Sequence, residues 1–143
     1  MNVETILAGK GRDVLTIAPD AVISDAVKLL EAHGVGAVVV SAAGKKMTGI
    51  LSERDIVHGL AKHGGALLDQ RVDQLMTADV ETCSGRDTDR EVLSLMTQRR
   101  FRHLPVIEDG ILAGFVSIVD VAKSRLDGVT SEAEAMRDYI SRG

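Results

Sequence analysis

Hydrophobic and polar positions in the first half of the chain follow a helical pattern in some stretches and a strand pattern in others. Apolar residues recur at helical spacing over residues 22–33, which predicts a helix with one buried face, and Gly34 is a natural stop for it. Residues 35–40 are nearly all apolar and β-branched, as in a buried strand. The full pattern predicts a short helical lead-in at 3–7, strands at 14–17, 35–40 and 47–51, a turn around Gly44, and helices at 22–33 and 52–62.

The same pattern returns in the second half of the chain. An offset of 66 positions relates Val22 to Thr88 and Val40 to Val106, and the offset becomes 65 after a tighter turn that contains Asp109-Gly110, a hairpin signal. This half is predicted to contain a lead-in at 72–77, strands at 80–83, from Arg102 onward and at 111–117, and helices at 88–99 and 118–126. Ser131 and Glu134 form a capping-box pattern that predicts a separate terminal helix.

These elements predict an α/β (α+β) fold of two tandem β-α-β-β-α repeats, packed about a pseudo-two-fold axis. A half of about 60 residues would be marginally stable alone, so the two halves should pack together. We place the first repeat with its lead-in at residues 1–66, the second repeat at 67–128 and a C-terminal helical appendage at 129–143.

Both repeats end in the motif Gly-apolar-apolar-Ser-x-x-Asp, at residues 49–55 and 114–120. Ser-x-x-Asp at a helix start is typical of a capping box. The same geometry suits a nucleotide, because free N–H groups at a helix start favour a phosphate and a nearby carboxylate can accept from two ribose hydroxyls. From these residues alone, capping and ligand binding both stay open for Asp55 and Asp120.

Composition excludes several classes of protein. The 143 residues carry a net charge of −4 and include two Phe, one Tyr and no Trp, which argues against a nucleic-acid partner. The single cysteine, Cys83, excludes an internal disulfide and a Cys-based zinc site, and it fits a reducing compartment. The N-terminal residues lack a signal-peptide pattern and no apolar run is long enough to cross a bilayer. We therefore expect a cytoplasmic protein with no membrane partner.

The ordered duplication, its two terminal motifs and the sequence His103-Leu104-Pro105-Val106 after a helix resemble a paired cystathionine-β-synthase (CBS) domain over roughly residues 3–126. The resemblance implies a non-catalytic regulatory or sensor module that binds an adenosine-containing nucleotide (AMP, ADP, ATP or NAD) in clefts between its repeats. Mg²⁺ is expected only beside a triphosphate. It also implies a homodimer, a flat disc of four repeats, that regulates a protein which the sequence does not identify.

The resemblance also implies binding residues. In the first cleft, Asp55 would hold the ribose, and the residues around the adenine and phosphate would be Thr16, Val35, Gly36, Ala37, Ser52 and Arg54. In the second cleft the corresponding residues would be Thr82, Arg102, His103, Leu104, Pro105, Ser117 and Asp120. Arg102 stands at a position that often reaches phosphate in this family, whereas its counterpart in the first half is Gly36. The two clefts are therefore expected to be unequal.

Other groupings give weaker signals. Lys10 lies between two glycines in a predicted flexible loop and is either an exposed lysine or a phosphate contact. Arg99 and Arg100 are interpreted as solvent-exposed charges that complement a helix C-terminus. His58 and His63 are five residues apart and do not share a helical face, so we expect no dedicated metal site.

No nucleophile and base recur together with the two aspartates, so we expect no catalytic residue and no enzyme activity. The alternative to a nucleotide sensor is a dimeric protein-interaction module whose clefts are vestigial.

Overall fold

The first half of the chain forms a three-stranded sheet with two helices. The structure is a computed structural model that describes residues 1–43 and 46–142, so the turn predicted at Gly44 lies outside the described residues. After α1 (Val3–Lys10) come β1 (Thr16–Ile17), α2 (Ile23–His33), β2 (Ala37–Val40), β3 (Gly49–Ser52) and α3 (Glu53–His63). β2 lies in the middle of the sheet, parallel to β1 and antiparallel to β3. The predicted helix stop is confirmed, because Gly34 has a left-handed φ of 61°.

The second half repeats this arrangement with a longer hairpin. α4 (Asp89–Arg99) leads into the antiparallel strands β4 (His103–Glu108) and β5 (Ile111–Ser117), and α5 (Ile118–Arg142) follows. The turn between the strands is confirmed, with φ values of 52° at Asp109 and 75° at Gly110. The mixed α/β fold class is confirmed as well.

The strand predicted at residues 80–83 is wrong. Only Cys83 pairs with β4, through a single parallel bridge to Val106. Glu81 and Thr82, just before it, are exposed, so the core covers no side chain that would extend the pairing.

The segment that precedes each repeat packs against the opposite half of the chain. Val3, Ile6 and Leu7 of α1 are buried in the core of the second half. Leu67 and Val72, from two short 3₁₀ segments at Gly64–Asp69 and Val72–Gln74, are buried in the core of the first half. This exchange ties the halves together. The boundaries proposed at residues 66 and 128 stay predictions.

The exchange explains the glycine that opens each repeated motif. A Cβ atom on Gly49 would lie 2.6 Å from the Thr77 carbonyl oxygen, and one on Gly114 would lie 2.7 Å from Leu7 Cδ1. At both places the crossing segment approaches the strand backbone too closely for a side chain. The glycines are therefore packing residues, which leaves the serine and aspartate of each motif for capping or chemistry.

Two helix boundaries differ from the prediction. α1 continues through Gly9 and Lys10 and ends at Gly11, whose φ is 106°. α5 is one helix of 25 residues, so the separate start predicted at Ser131 is wrong. Gly128 costs only about 1 kcal/mol within a helix, and a capping pattern acts only where the chain enters from a non-helical residue.

Candidate functional site

Two cavities lie where the halves of the chain meet, and each contains one of the repeated aspartates. The Asp55 cavity has a volume of about 290 Å³ and is lined by Gly36, Ile50, Ser52, Glu53, Arg54, Asp55, Thr77, Asp79, Val80, Glu81, Arg100, Phe101, Arg102 and His103. The Asp120 cavity, of about 420 Å³, is lined by Lys10, Asp13, Val14, Leu15, Gly34, Val35, Gly36, Ala37, His103, Phe115, Ser117, Val119 and Asp120. Gly36 and His103 line both cavities, so they form part of the wall between them.

Ser52 and Asp55 form a reciprocal cap at the start of α3. The Ser52 backbone N–H donates to Asp55 Oδ2 at 2.9 Å, and the Asp55 N–H donates to Ser52 Oγ at 3.2 Å. Ser117 and Asp120 repeat these contacts at the start of α5, at 2.9 and 3.2 Å. The capping interpretation is therefore correct for both copies. Because each aspartate also lines a cavity, capping does not remove it from contact with a ligand.

The caps leave half of each carboxylate available. Every hydrogen bond to Asp55 or Asp120 among the described side chains uses Oδ2, and none of them uses Oδ1. An unoccupied carboxylate oxygen at a cavity wall can accept a hydrogen bond from a hydroxyl of a bound molecule.

The grouping of residues expected for the two clefts is wrong. Asp55, from the first half, lines a cavity with Arg102 and His103 of the second half. Asp120, from the second half, lines a cavity with Val35 and Ala37 of the first half. The reason lies in the pseudo-symmetric packing, which sets the end of one half's hairpin against residues at the start of the other half's hairpin.

Four of the predicted binding residues do not line either cavity as the described residues define them. Leu104 and Pro105 are buried in β4, with Leu104 in the core of the second half. Thr82 is exposed, and Thr16 lies in the short strand β1. The remaining predicted residues are placed at the cavities, although their contact with a ligand stays a proposal.

Lys10 is the main electrostatic feature of the Asp120 cavity. Its Nζ donates to Asp120 Oδ2 at 2.6 Å and to the Phe115 carbonyl oxygen at 2.9 Å. Burial raises the pKa of Asp120, but hydrogen bonds from Lys10 and Ser117 outweigh this effect and leave the pKa below its ordinary value. Neither sequence interpretation of Lys10 included this ion pair, because it depends on α1 reaching the second half.

The Asp55 cavity contains three arginines, Arg54, Arg100 and Arg102. Arg100 ends α4 with a left-handed φ of 59° and is exposed, as expected, and it also lines the cavity. Arg99 instead forms an ion pair with Glu81, with 3.3 Å between Nη1 and Oε1. Guanidinium groups keep their charge and offer a planar fork of donors, which suits a phosphate.

His103 lies between the two cavities. Its ring stacks on Phe115 with 5.6 Å between centroids and 11° between planes. Burial lowers the pKa of His103, which favours the neutral form of the ring. Gly36 lies close to both Glu53 and His103, because a Cβ atom added to it would be 3.1 Å from Glu53 Oε1 and 3.5 Å from His103 Cε1. The wall between the cavities is therefore thin at Gly36.

The sequence contained a signal for further cavity residues that the motif analysis missed. Asp13 and Val14 line the Asp120 cavity, and Asp79 and Val80 line the Asp55 cavity. The pair Asp-Val recurs at the same offset of 66 positions that relates the helices, so the duplication could have identified it. The aromatic walls, Phe101 and Phe115, have no such signal.

The described residues contain no group of three or more His, Cys, Asp or Glu side chains placed to hold a metal ion. None of the helices that the structure describes is both long and apolar enough to span a membrane.

Comparison with known proteins reveals close similarity over nearly the whole chain. A crystal structure of a CBS-domain-containing protein from Agrobacterium tumefaciens is 46% identical, with a TM-score of 0.84, covering 87% of this chain and 92% of that one. A mitochondrial CBS domain-containing protein of Arabidopsis thaliana is 30% identical over 99% of this chain and 72% of its own length.

A third similar protein carries a ligand. A CBS domain protein from Pyrobaculum aerophilum, complexed with AMP, is 24% identical with a TM-score of 0.73, covering 84% of this chain and 89% of that one, and this likeness shows the fold alone. The family model of the CBS domain matches twice, at residues 10–62 and 72–127, which correspond to the two halves of the fold. The chain therefore belongs to the CBS domain family.

Proposed function

We propose that this chain is a non-catalytic regulatory module that binds an adenosine-containing nucleotide in the Asp55 cavity. The observation that carries the proposal is the convergence, at one cavity, of a carboxylate with an unoccupied oxygen and three arginines. Asp55 Oδ1 would accept from the ribose, and Arg54, Arg100 or Arg102 would hold phosphate through charge-assisted hydrogen bonds.

The apolar side of the Asp55 cavity supports the same assignment. Ile50, Val80 and Phe101 offer a surface on which the face of a purine ring can pack. A volume of about 290 Å³ lies just below the usual range of ligand pockets, about 300–1,000 Å³. A mononucleotide such as AMP therefore fits this cavity better than ADP, ATP or NAD. Mg²⁺ would enter only with a triphosphate, whose oxygens it would share.

The relative from Pyrobaculum aerophilum supports the choice of adenosine compounds, since it has the same fold and was solved with AMP. Regulation would follow if the nucleotide favours one arrangement of the two halves, or of a homodimer, over another. The change can be no larger than the difference in the ligand's affinity for the two arrangements. The regulated protein and a cytoplasmic location stay predictions.

A dimeric protein-interaction module with vestigial clefts is the second candidate. The Lys10–Asp120 ion pair favours it for the Asp120 cavity, because a carboxylate already paired with a lysine is a weaker acceptor for a ribose.

A thermal-shift screen distinguishes the two functions. The full chain is heated with millimolar adenosine, AMP, ADP, ATP with and without Mg²⁺, NAD or S-adenosylmethionine, and with GMP as the matched control. We expect AMP to raise the Tm and GMP to leave it unchanged. If none of these compounds raises the Tm, the interaction-module function is supported and the proposed nucleotide site is not.

A further inference from the structure

α5 carries a row of apolar side chains that the rest of the described chain does not cover. On the packed side of the helix, Val121 is fully buried in the core of the second half and Ser124 is buried beside it. On another side, Leu126 is 67% exposed and Ile140 is 69% exposed. Every residue from 132 to 141 is exposed, so this end of the helix extends away from the rest of the fold.

Five exposed apolar residues of α5 follow a strict heptad spacing, and Tyr139, which is also exposed, lies beside them. Their positions alternate between steps of three and four residues, in the order Leu126, Val129, Ala133, Met136 and Ile140. Val119 and Ala122 continue the same spacing toward the start of the helix. A strict seven-residue repeat keeps one narrow apolar stripe facing a partner helix and is the pattern of a left-handed coiled coil.

The charges beside this stripe match a second copy of the same helix in parallel orientation. In heptad terms Glu132 is a g position and Arg137 is the e position five residues later. In a parallel pair each g residue faces the e residue of the next heptad in the partner, so Glu132 would face Arg137 of the partner subunit, and this pair would occur twice.

An antiparallel pair would bring like charges together. In the antiparallel register that uses the whole stripe, Glu132 would face Glu132 of the partner subunit, and Lys123 would face Arg137 of the partner subunit. Like charges in these positions disfavour that arrangement. The self-complementary charges therefore point to a second copy of this chain rather than to an unrelated helix.

We infer that α5 pairs with α5 of a second copy as a parallel two-stranded coiled coil over residues 126–140. The inference names the surface through which a homodimer forms, and it does not depend on nucleotide binding. Two heptads alone would form only a marginally stable helix. The pairing is therefore expected in the full chain, where the second repeat anchors the first turns of α5. The arrangement has the two-fold symmetry usual for homodimers.

Charge reversal on the full chain tests the pairing. In sedimentation equilibrium, Glu132→Arg and Arg137→Glu should each weaken the dimer about ten-fold, because two attractive pairs become repulsive. The double variant should return to within about three-fold of the unmodified chain, since the pairs are restored with their charges exchanged. Asp138→Arg is the matched control for Glu132→Arg. It makes the same change in charge on the side of α5 away from the stripe, so it should leave the dimer intact.

A disulfide experiment tests the orientation. Ile140→Cys places a thiol on the stripe near its end, where only a parallel pair brings two copies together, and oxidation should give a covalent dimer. Cys83 does not compete, because it is buried and its pKa is raised to about 12 by that burial. Asp138→Cys is the control and should stay uncrosslinked.

The following results would overturn the inference: a monomeric full chain at about 100 μM, a dimer that both charge reversals leave unchanged, a double variant that does not recover, or an Ile140→Cys chain that does not crosslink. A nucleotide-induced rise in Tm alongside any of these results would leave the proposed function standing.

Discussion

Asp55 and Asp120 occupy equivalent positions in the two repeats but have different neighbours. Each caps its own helix through Oδ2. Asp120 also receives Lys10, whereas no ion pair to Asp55 is found among the described side chains. The same motif therefore gives one aspartate that is available to a ligand and one that already has a cationic partner.

Arg102 should contribute to phosphate binding at the Asp55 cavity. We expect Arg102→Ala to weaken AMP binding about ten- to a hundred-fold and adenosine binding much less, because charge-assisted hydrogen bonds are worth about 1.5–3 kcal/mol. Calorimetric titration of both compounds measures the difference. Arg90→Ala is a suitable control, since Arg90 is exposed and lies outside the lining of both cavities. Equal losses for AMP and adenosine would show that Arg102 does not contact phosphate.

The ion pair at Asp120 should make stability depend on pH. The lowered pKa of Asp120 means that the ionised carboxylate stabilises the fold above the ordinary aspartate pKa, about 4, and that this contribution is lost as the pH falls through the lowered folded-state pKa. We expect Asp120→Asn to lower the free energy of unfolding by about 1 kcal/mol or less at neutral pH, because the pair is partly exposed.

Urea unfolding from about pH 7 down to about pH 3 measures this dependence. The difference between Asp120→Asn and the unmodified chain should shrink toward the acid end of the series. Asp138→Asn, on the exposed part of α5, is the control and should show no such trend. A difference of constant size over the whole range would mean that Asp120 is not held by Lys10 in solution.

At the level of the elements, hydrophobic periodicity identified α2, α3, α4, the hairpin strands and the Asp109-Gly110 turn, because each depends on local spacing or a local turn signal. It failed where the outcome depends on distant packing. The strand at 80–83 lacks buried side chains, and α5 continues through Gly128 despite a capping pattern after it.

The candidate site shows the same limit. The motif placed Ser52, Asp55, Ser117 and Asp120 correctly at cavity walls. The assignment of partners across the cavities was wrong, since it depends on how the halves pack. Lys10 reaches Asp120 across 110 positions of sequence, and no local pattern encodes such a contact.

The glycine of the repeated motif should be required for the contact between α1 and β5. We expect Gly114→Ala to destabilise the fold by about 1–3 kcal/mol, because its Cβ would lie 2.7 Å from Leu7 Cδ1 and the core is already filled. Gly128→Ala is the matched control, since nothing lies within 4 Å of its Cβ position, and it should stabilise α5 by up to about 1 kcal/mol. Urea unfolding measures both. A Gly114→Ala chain as stable as the unmodified one would contradict the close approach.

At the scale of the whole molecule, the two cavities are pseudo-symmetric in position and unequal in their number of cationic side chains. Each joins residues of both halves, so a bound molecule would link the halves and resist their separation. The Asp55 cavity holds three arginines, while Lys10 is the only Lys or Arg among the described residues that line the Asp120 cavity. A phosphate-bearing ligand should therefore occupy the Asp55 cavity first.

Asn substitution at each aspartate tests this order of occupancy. Asparagine is nearly isosteric with aspartate, so the helix cap should largely persist. Its single amide oxygen cannot replace both carboxylate oxygens, so ribose binding should be lost. We expect Asp55→Asn to weaken AMP about a hundred-fold, which removes about 2.7 kcal/mol of stabilisation at saturating ligand. Asp120→Asn should change AMP affinity much less. Calorimetric titration of both single variants measures affinity and stoichiometry. A larger loss at Asp120 would reverse the order of the cavities, and unchanged binding in both variants would leave the two aspartates as helix caps alone.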